Sequence, residues 1–381
     1  MVMSAMGARA RGERLVRMQQ SPQWRNNHFD DVVPRGGASV YTYLRQQIGW
    51  GAIRDWMFAG SKYRVPTESV PMVSVAQASF ASAPSTGLRA TWIGHSTTLV
   101  EIDGARVLID PVFSGSAGVN GMMGQRRFFP MPLNAADMPE LDIVLISHDH
   151  YDHLDYPTIR QLLQLEAQAR AVFVVPLGVG AHLEAWGLAP ERIVELDWWE
   201  EADVAGLRIA ATPARHYSGR GVFDLEHTLW ASFAIIGNEH RVFYSGDTAM
   251  FPGLRDIGEQ YGPFDLTLIE AGGYNRYWAD IHLGPEQAVQ AHRMLQGQVM
   301  MPVHWGLFDL AMHGWTEPVE RVLAAAKERN VLVATPRLGE SFEPGLALPN
   351  ERWWPELPWD SAEAAPIIST GMPSTAEALD L

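Results

Sequence analysis

The stretch ISHDHYDHLD, residues 146–155, places three histidines and three aspartates within eight positions of a chain that has 13 histidines in all. It continues the apolar run DIVLI, which is typical of a buried strand. The polar side chains therefore follow the carboxyl end of a strand, where α/β sheets place their functional sites. His148 and His150 can point the same way, and Asp152 and His153 can turn towards a second point nearby. This loop predicts ligands for two adjacent metal ions; the alternative is an ordinary solvated turn.

Three other predicted strand ends supply further ligands. His216 follows LRIAATP, Asp247 lies in an SGDT turn after RVFY, and His304 follows QVMMPV. One histidine or aspartate at a strand end is ordinarily a capped or solvated residue, but the repetition of the pattern predicts a shared metal centre. Imidazole nitrogen and carboxylate oxygen suit Zn²⁺, with Fe and Mn as alternatives. We therefore expect two Zn²⁺ ions as cofactors.

The composition excludes several classes of protein. The chain has 381 residues, no cysteine and a formal net charge of −15. Without cysteine there is no disulfide, thiolate ligand or cysteine nucleophile, which fits a reducing compartment. The negative charge repels polyanions and argues against a nucleic-acid partner. No apolar run approaches the ~20 residues of a membrane span, and the basic start lacks the apolar segment of a secretory signal. We expect the protein in the cytoplasm.

The order of predicted elements indicates an α/β protein with extensions at both ends. Residues 1–65 are expected to form a partly helical extension, residues 66–345 the main domain, and residues 346–381 a tail that is partly disordered, above all over its last twenty residues. Within the domain, two rounds of strands and βα units predict two sheets packed face to face with helices outside. The predicted helices cover residues 157–169, 178–187, 252–260, 284–296 and 316–329.

The ligand pattern as a whole resembles the metallo-β-lactamase superfamily over residues 89–343. The resemblance implies the αββα sandwich, in which two mixed β-sheets are flanked by helices, and so a hydrolase domain. It also implies that one metal ion is held by His148, His150 and His216. The second ion would be held by Asp152, His153 and His304. Asp247 would bridge the two ions.

A narrower resemblance is to N-acyl-phosphatidylethanolamine-hydrolysing phospholipase D and its bacterial relatives. The segments that carry it include WIGHSTTLVEIDGARVLIDPVFS, VELDWWEE, YSGDTAMFPGL and VHWGLFDLA. It implies a dinuclear phosphodiesterase that releases N-acylethanolamine and phosphatidic acid by means of a hydroxide between the ions. The catalytic residues would be Asp152, Asp247 and His282. It further implies a homodimer, to which helices within residues 40–58 are expected to contribute.

The departing alkoxide of such a reaction needs a proton or a positive neighbour. His282, in ADIHLGPE, and Tyr151 are the candidates, and both are expected to contact substrate. The alternative for His282 is that it caps the helix over 284–296. His95, in GHSTT, is expected to support the site or a turn rather than to bind metal directly.

The loop VNGMMGQRRFFPMPL is the candidate for binding the acyl chain and the phosphate. Flexible and aromatic side chains adapt to an irregular chain, and neighbouring arginines suit phosphate. The alternative is a loop that packs on the core. The residues concerned are Met122, Met123, Arg126, Arg127, Phe128, Phe129 and Met131.

Other activities remain open on the same scaffold. A lactonase, including one acting on a sugar-phosphate lactone, would use the same centre to attack a carbonyl. A nuclease is disfavoured by the charge, a β-lactamase by the absence of cysteine, and a non-catalytic metal-binding scaffold by the intact ligand set. The substrate is expected to be a phospholipid or a small molecule, with peripheral contact to the inner face of the membrane.

Overall fold

The computed structural model describes residues 2–33, 40–47, 49–221, 223–370 and 372. In chain order its strands are β1 Trp24–Arg25, β2 His28–Phe29, β3 Leu88–Gly94, β4 Thr97–Ile102, β5 Ala105–Ile109, β6 Ser116–Val119, β7 Met123–Arg126, β8 Ile143–Leu145, β9 Val172–Pro176, β10 Ile193–Leu196, β11 Glu201–Val204, β12 Leu207–Thr212, β13 Ser232–Ile236, β14 Arg241–Tyr244, β15 Phe264–Glu270, β16 Gly297–Val303, β17 Leu332–Val333 and β18 Ser341–Phe342. The α-helices are α1 Val2–Ala5, α2 Gly12–Gln20, α3 Val40–Gln47, α4 Trp50–Phe58, α5 Tyr156–Leu162, α6 Gly180–Ala185, α7 Gly253–Tyr261, α8 Pro285–Met294 and α9 Glu317–Arg329.

Two mixed sheets form the body of the protein. The first has the order β10-β9-β8-β5-β4-β3-β18, and the second has the order β11-β12-β13-β14-β15-β16-β17. In the first sheet β3, β4 and β5 pair antiparallel, and β5, β8, β9 and β10 then run parallel. In the second sheet β14, β15, β16 and β17 run parallel. Each sheet thus follows the predicted sequence of hairpins and then βα units.

Alternation along the strands divides the apolar side chains among three layers. In β5, Val107 and Ile109 join the core between the sheets, while Leu108 joins the outer layer with α5 and α6. In β15, Leu268 faces the inner core and Ile269 packs in the outer layer with α7, α8 and α9. Because both faces of each sheet are covered, these strands read as continuous apolar runs. The arrangement is the predicted αββα sandwich.

The topology brings six loops to one edge of the sandwich. The parallel strands β5 and β8 end on the same side of the first sheet, and β14, β15 and β16 do so in the second. Strand β12 runs in the direction of β14, because each pairs antiparallel with β13. The loops after β8, β12, β14 and β16 carry the seven predicted metal ligands, and the loop after β15 carries His282.

The predicted helices exist but are mostly shorter than expected. The segment predicted as helix 157–169 forms α5, which ends at Leu162, and a separate 3₁₀ turn, Glu166–Gln168. Asp155 fixes the start of α5, because its carboxylate accepts a hydrogen bond from the Thr158 N–H. Helix α6 ends before Gly187, whose φ of +100° terminates it.

The two extensions contact the sandwich. Trp353 and Trp354 are buried in the inner core, and Ser369 donates a hydrogen bond to Asp280. Residues 362–370 therefore differ from the predicted disorder, whereas 371 and 373–381 lie outside the described residues. The extension before residue 66 is partly helical in its described parts, with 1, 34–39 and 48 excepted; the domain boundaries stay a prediction. Among all described residues, no helix has the length and apolar character needed to cross a bilayer.

Candidate metal centre

One cluster of ligand atoms combines the first two histidines of the loop with His216 and Asp247. His150 Nδ1 lies 2.8 Å from His148 Nε2 and 3.2 Å from His216 Nε2. Asp247 Oδ2 lies 3.7 Å from both His148 Nε2 and His216 Nε2. In a tetrahedral site with bonds of ~2.0–2.1 Å, ligand atoms stand roughly 3.3 Å apart. The spacing fits a single ion.

A second cluster lies beside the first. Asp152 Oδ2 lies 3.3 Å from His304 Nε2 and 3.5 Å from His153 Nε2. His95 Nε2 completes the group at 3.0 Å from the same oxygen. His95 is expected from its sequence context only to support the site, but the structure places its Nε2 among the atoms that could bind metal in this cluster.

Asp247 joins the two clusters. Its Oδ2 also lies 3.1 Å from His304 Nε2, and its Oδ1 lies 3.2 Å from His153 Nε2. The carboxylate therefore faces both ligand sets at once, which is the geometry of a bridging ligand. The structure brings together all seven residues proposed as ligands, although their assignment to metal ions stays a prediction.

Several atoms at the centre have no hydrogen-bond partner within the described part of the chain, although they are fully buried. They include His153 Nε2, His304 Nε2 and Asp247 Oδ1. A buried polar atom without a partner costs about 1–3 kcal/mol. Three such atoms converging on one point are the pattern expected of metal ligands, so the residues present fit a dinuclear centre.

The electrostatics of the centre also favour bound metal ions. Burial and the adjacent His153 and His150 hold the pKa of His148 well below its ordinary value, so its imidazole is neutral. Burial would raise the pKa of Asp247, but His153 and His304 lower it well below its ordinary value. For His304 burial alone would lower the pKa, but Asp247 and Asp152 raise it to about 10. The buried carboxylates are therefore stabilised by positive charge nearby. Bound metal ions would supply that charge and would displace the proton that His304 otherwise carries.

Asp110, at the end of β5, orients the second cluster from behind. Its Oδ2 accepts hydrogen bonds from His153 Nδ1 at 2.6 Å, from the Ser147 hydroxyl at 2.5 Å and from the Tyr244 hydroxyl at 2.5 Å. Its Oδ1 accepts from the Ser147 N–H at 2.8 Å. An acceptor at Nδ1 orients the ring so that Nε2 of His153 is aimed at the cluster, where a bound metal ion would take the place of a proton. Asp110 was not predicted, although it stands at a strand end in VLIDP.

His282 lies at the rim of the centre. Its ring stands 5.1 Å from that of His216 and 5.2 Å from that of His304, and it is partly exposed. Its Nδ1 lies 2.8 Å from Oε2 of Glu270, a fully buried carboxylate at the end of β15. Glu270 thereby fixes the ring, so its Nε2 is the nitrogen available to a substrate. His282 does not cap α8, since the residue before that helix is Gly284.

The metal loop is held from its other side by Arg220, which is buried. Its Nη1 donates to the carbonyl oxygens of Asp149 and Leu154 at 2.7 and 2.8 Å. Its Nη2 donates to the carbonyl of Ala5, in the N-terminal extension, at 2.9 Å. Tyr151 stacks on the guanidinium at 4.1 Å and donates its hydroxyl to the Arg220 carbonyl. Tyr151 is therefore occupied in supporting the loop rather than directed at the clusters.

Replacing Arg220 by methionine is expected to weaken metal binding by about 10–100-fold, the usual cost of losing a group that orients ligands. Arg220→Lys should rescue little, because one ammonium cannot span three carbonyl oxygens in a plane. Competitive metal titration of the chelator-treated protein measures the effect. Arg17→Met, at an exposed arginine of α2, is the control; equal affinities in both variants would remove this role.

The loop predicted to bind substrate divides between core and surface. Phe129 is buried, with its ring 5.7 Å from that of Trp315, and Phe128 is half-buried against it. Arg127 donates to the carbonyls of Ser114 and Val112. Packing thus occupies Phe129 and Arg127, whereas Arg126 is exposed at the end of the β6–β7 ribbon. Met122 and Met123 are also exposed there, and Met131 packs against the outer layer of the first sheet.

Two mixed sheets between helices, with buried histidines and aspartates clustered at one edge, define a metal-dependent hydrolase. The model of the family described as "Beta-lactamase superfamily domain" matches residues 105–305, and the chain belongs to that superfamily. A protein of Mycobacterium tuberculosis described as uncharacterized is 42% identical over 355 residues, covering 92% of each chain.

Two further similarities are informative. N-acyl-phosphatidylethanolamine-hydrolyzing phospholipase D 1 of Caenorhabditis elegans is 32% identical over 298 residues, covering 74% of this chain and 83% of that protein. Among solved structures, an isothiocyanate hydrolase from Delia radicum gut bacteria superposes with a TM-score of 0.52 at 18% identity, covering 67% of this chain and 98% of that one. The structural similarity supports the fold alone.

Proposed function

We propose that this protein is a zinc-dependent phosphodiesterase of the phospholipase D type that converts N-acyl-phosphatidylethanolamine to N-acylethanolamine and phosphatidic acid. The observation that carries the proposal is the 32% identity to the nematode phospholipase D over 298 residues. The two clusters joined by Asp247 supply a site suited to that chemistry, because a phosphodiester presents two oxygens that two ions can hold at once.

The donor set supports zinc. His148, His150 and His216 offer three imidazole nitrogens to one site, and the second site combines imidazoles with a carboxylate. When bound, two such ions would activate water and stabilise the charge that develops on the phosphoryl oxygens. Asp152 and Asp247 would contribute to catalysis by holding the ions.

The protein's own proton donor would be His282. In the proposed reaction water adds to phosphorus, the bond from phosphorus to the ethanolamine oxygen breaks, and that oxygen takes up a proton. Since Nδ1 of His282 bonds to Glu270 at 2.8 Å, Nε2 is the nitrogen that can deliver the proton. Glu270 would keep the imidazolium in place during the transfer.

His282→Gln is expected to lower kcat by about 10²–10⁴-fold, the usual contribution of general acid catalysis. Metal content should be unchanged, because His282 is not among the seven proposed ligands and its Nδ1 is bonded to Glu270. His240→Gln is the matched control, since His240 is bonded to Asp103 on the far side of the fold. Steady-state kinetics together with metal analysis provide the test; an unchanged kcat in the His282 variant would reject the proton-donor role.

A lipid substrate also needs a surface that meets a membrane. Helix α4 exposes Trp50, Met57 and Phe58, with exposed fractions of 88%, 61% and 81%, and aromatic side chains of this kind favour the interfacial region of a bilayer. We include peripheral membrane contact in the proposal, through apolar side chains rather than charge. The alternative to membrane contact is that α3 and α4 form the interface of a homodimer. Sedimentation at micromolar concentration would detect that dimer.

Product analysis tests the activity directly. The protein is loaded with Zn²⁺ and incubated with N-acyl-phosphatidylethanolamine in mixed micelles, beside His150→Ala. N-acylethanolamine and phosphatidic acid released by the parent alone is the expected result. If a parent that retains about two metal ions releases neither product, the lipid substrate is rejected, and lactones become the next substrates to test.

A further inference from the structure

A cavity of about 530 Å³ lies behind the metal loop, between the N-terminal extension and the segment around residues 221–228. This volume is within the ~300–1,000 Å³ of pockets that bind small molecules. None of the seven proposed metal ligands lines it, but Asp149, which stands between His148 and His150 in the chain, forms part of its floor. The cavity is therefore separate from the metal centre and adjacent to its supporting loop.

The walls of the cavity are mostly apolar and adaptable. They include Met6, Leu15, Met18 and Trp24. Methionine side chains fit irregular apolar ligands well, because they are unbranched and flexible. The walls therefore suit a flexible hydrocarbon chain better than a rigid polar molecule.

The polar groups of the floor, which belong to Asp149, His182 and Thr228, are bonded within the protein. Asp149 Oδ1 accepts from the Gly219 N–H at 2.7 Å, and Asp149 Oδ2 accepts from the Thr228 hydroxyl at 2.9 Å. His182 Nε2 lies 3.2 Å from the same Oδ2, and its Nδ1 accepts from the Ala8 N–H at 2.9 Å. Because these groups are mutually satisfied, the inner end of a ligand must be apolar.

The rim, in contrast, carries charge. Arg9 is exposed there and uses one N–H to bond the carbonyl of Phe223 at 2.6 Å. A guanidinium has five N–H donors, so others can pair with an anion. Asp224 also lines the rim, and its carboxylate accepts from the Gly221 N–H. The polar end of a ligand is thus expected to be an anion beside Arg9.

We propose that this cavity binds a single-chain acyl amphiphile, with its hydrocarbon chain in the cavity and its anionic head at Arg9. Such a site is additional to the catalytic centre and requires no hydrolysis. It has a direct connection to that centre, since Asp149 forms its floor and Ala5 and Ala8 of the extension are bonded to Arg220 and His182.

Equilibrium dialysis of the metal-loaded protein with submicellar laurate, myristate and palmitate tests the proposal. We expect one saturable site whose affinity rises by up to roughly fourfold per methylene, the effect of burying each CH₂. Leu15→Trp should fill the cavity and abolish that site. Val16→Trp, one position along α2 where the side chain is exposed, should bind as the parent does. Equal binding by the two variants would overturn the proposal; if Leu15→Trp fails to fold, Ala10→Leu takes its place.

The head group is tested separately. Palmitate should bind about tenfold more tightly than N-palmitoylethanolamine, and Arg9→Gln should remove the difference, because a charged hydrogen bond is lost. Equal affinity of the two ligands for the parent would exclude the anion site. Titration with palmitoyl lysophosphatidate shows whether the bound lipid is a free acid or a lysophospholipid. His150→Ala should bind palmitate normally, which distinguishes this site from the proposed activity.

Discussion

Asp247→Asn is expected to lower kcat/KM by about 10³-fold or more and to release at least one metal ion. The reason is that the Asp247 carboxylate faces both clusters, since its Oδ2 lies 3.7 Å from His148 Nε2 and His216 Nε2 in the first and 3.1 Å from His304 Nε2 in the second. Metal ions contribute several kcal/mol to transition-state stabilisation, and each 1.36 kcal/mol corresponds to a factor of ten in rate. Metal analysis after gel filtration, followed by kinetics at saturating zinc, measures both effects.

Asp256→Asn is the matched control, because that carboxylate is exposed on α7. It should retain the parent's metal content and activity. A variant Asp247→Asn that keeps two ions and full activity would show that Asp247 does not bridge the ions. A variant that keeps two ions but loses activity would instead show that Asp247 acts by contacting the substrate or the attacking water.

The second large effect concerns stability. Asp110→Ala removes the acceptor shared by His153, the Ser147 hydroxyl and the Tyr244 hydroxyl, all buried. Each donor left without a partner costs about 1–3 kcal/mol. We expect the free energy of unfolding of the metal-free protein to fall by about 3–5 kcal/mol. The affinity of the second site should fall by about 10–100-fold, since His153 loses its orienting partner.

Urea denaturation of the metal-free protein and competitive metal titration separate these two effects of Asp110. Asp110→Asn is the more conservative variant, since its one side-chain oxygen can still accept from Ser147 but carries no charge to pair with His153. It should recover part of the stability and little of the metal affinity. Full metal affinity in Asp110→Ala would show that His153 needs no orienting acceptor.

The parts of the centre that the sequence predicts are those created by strand direction. His148, His216, Asp247 and His304 follow strand ends, and parallel pairing brings such ends to one edge whatever the details of packing. For the same reason the two-sheet architecture follows from the order of hairpins and βα units. Asp110 also follows a strand end, after VLI. A single aspartate in that position is equally typical of an ordinary turn, so the sequence does not identify it as part of the centre.

Residues whose role depends on packing were not predictable in this way. Arg220 has no pattern around it, because its three carbonyl partners come from the metal loop and from Ala5, more than 200 positions away. Phe129 reads as a candidate for acyl binding in the sequence, yet it is buried against Trp315. An apolar loop residue can face a ligand or the core equally well, and only tertiary contacts decide between them.

Both ends of the described chain bond to residues that support the metal centre. Ala5 bonds to Arg220 behind the metal loop, while Ser369 and Thr370 bond to Asp280, which also pairs with Arg215 beside His216. During synthesis the chain leaves the ribosome from its first residue onwards, so the contacts at Asp280 can form only after residue 370 has emerged. We therefore expect metal loading to be a late event of biogenesis, after translation has passed this point. Nascent chains stalled before it should acquire little metal.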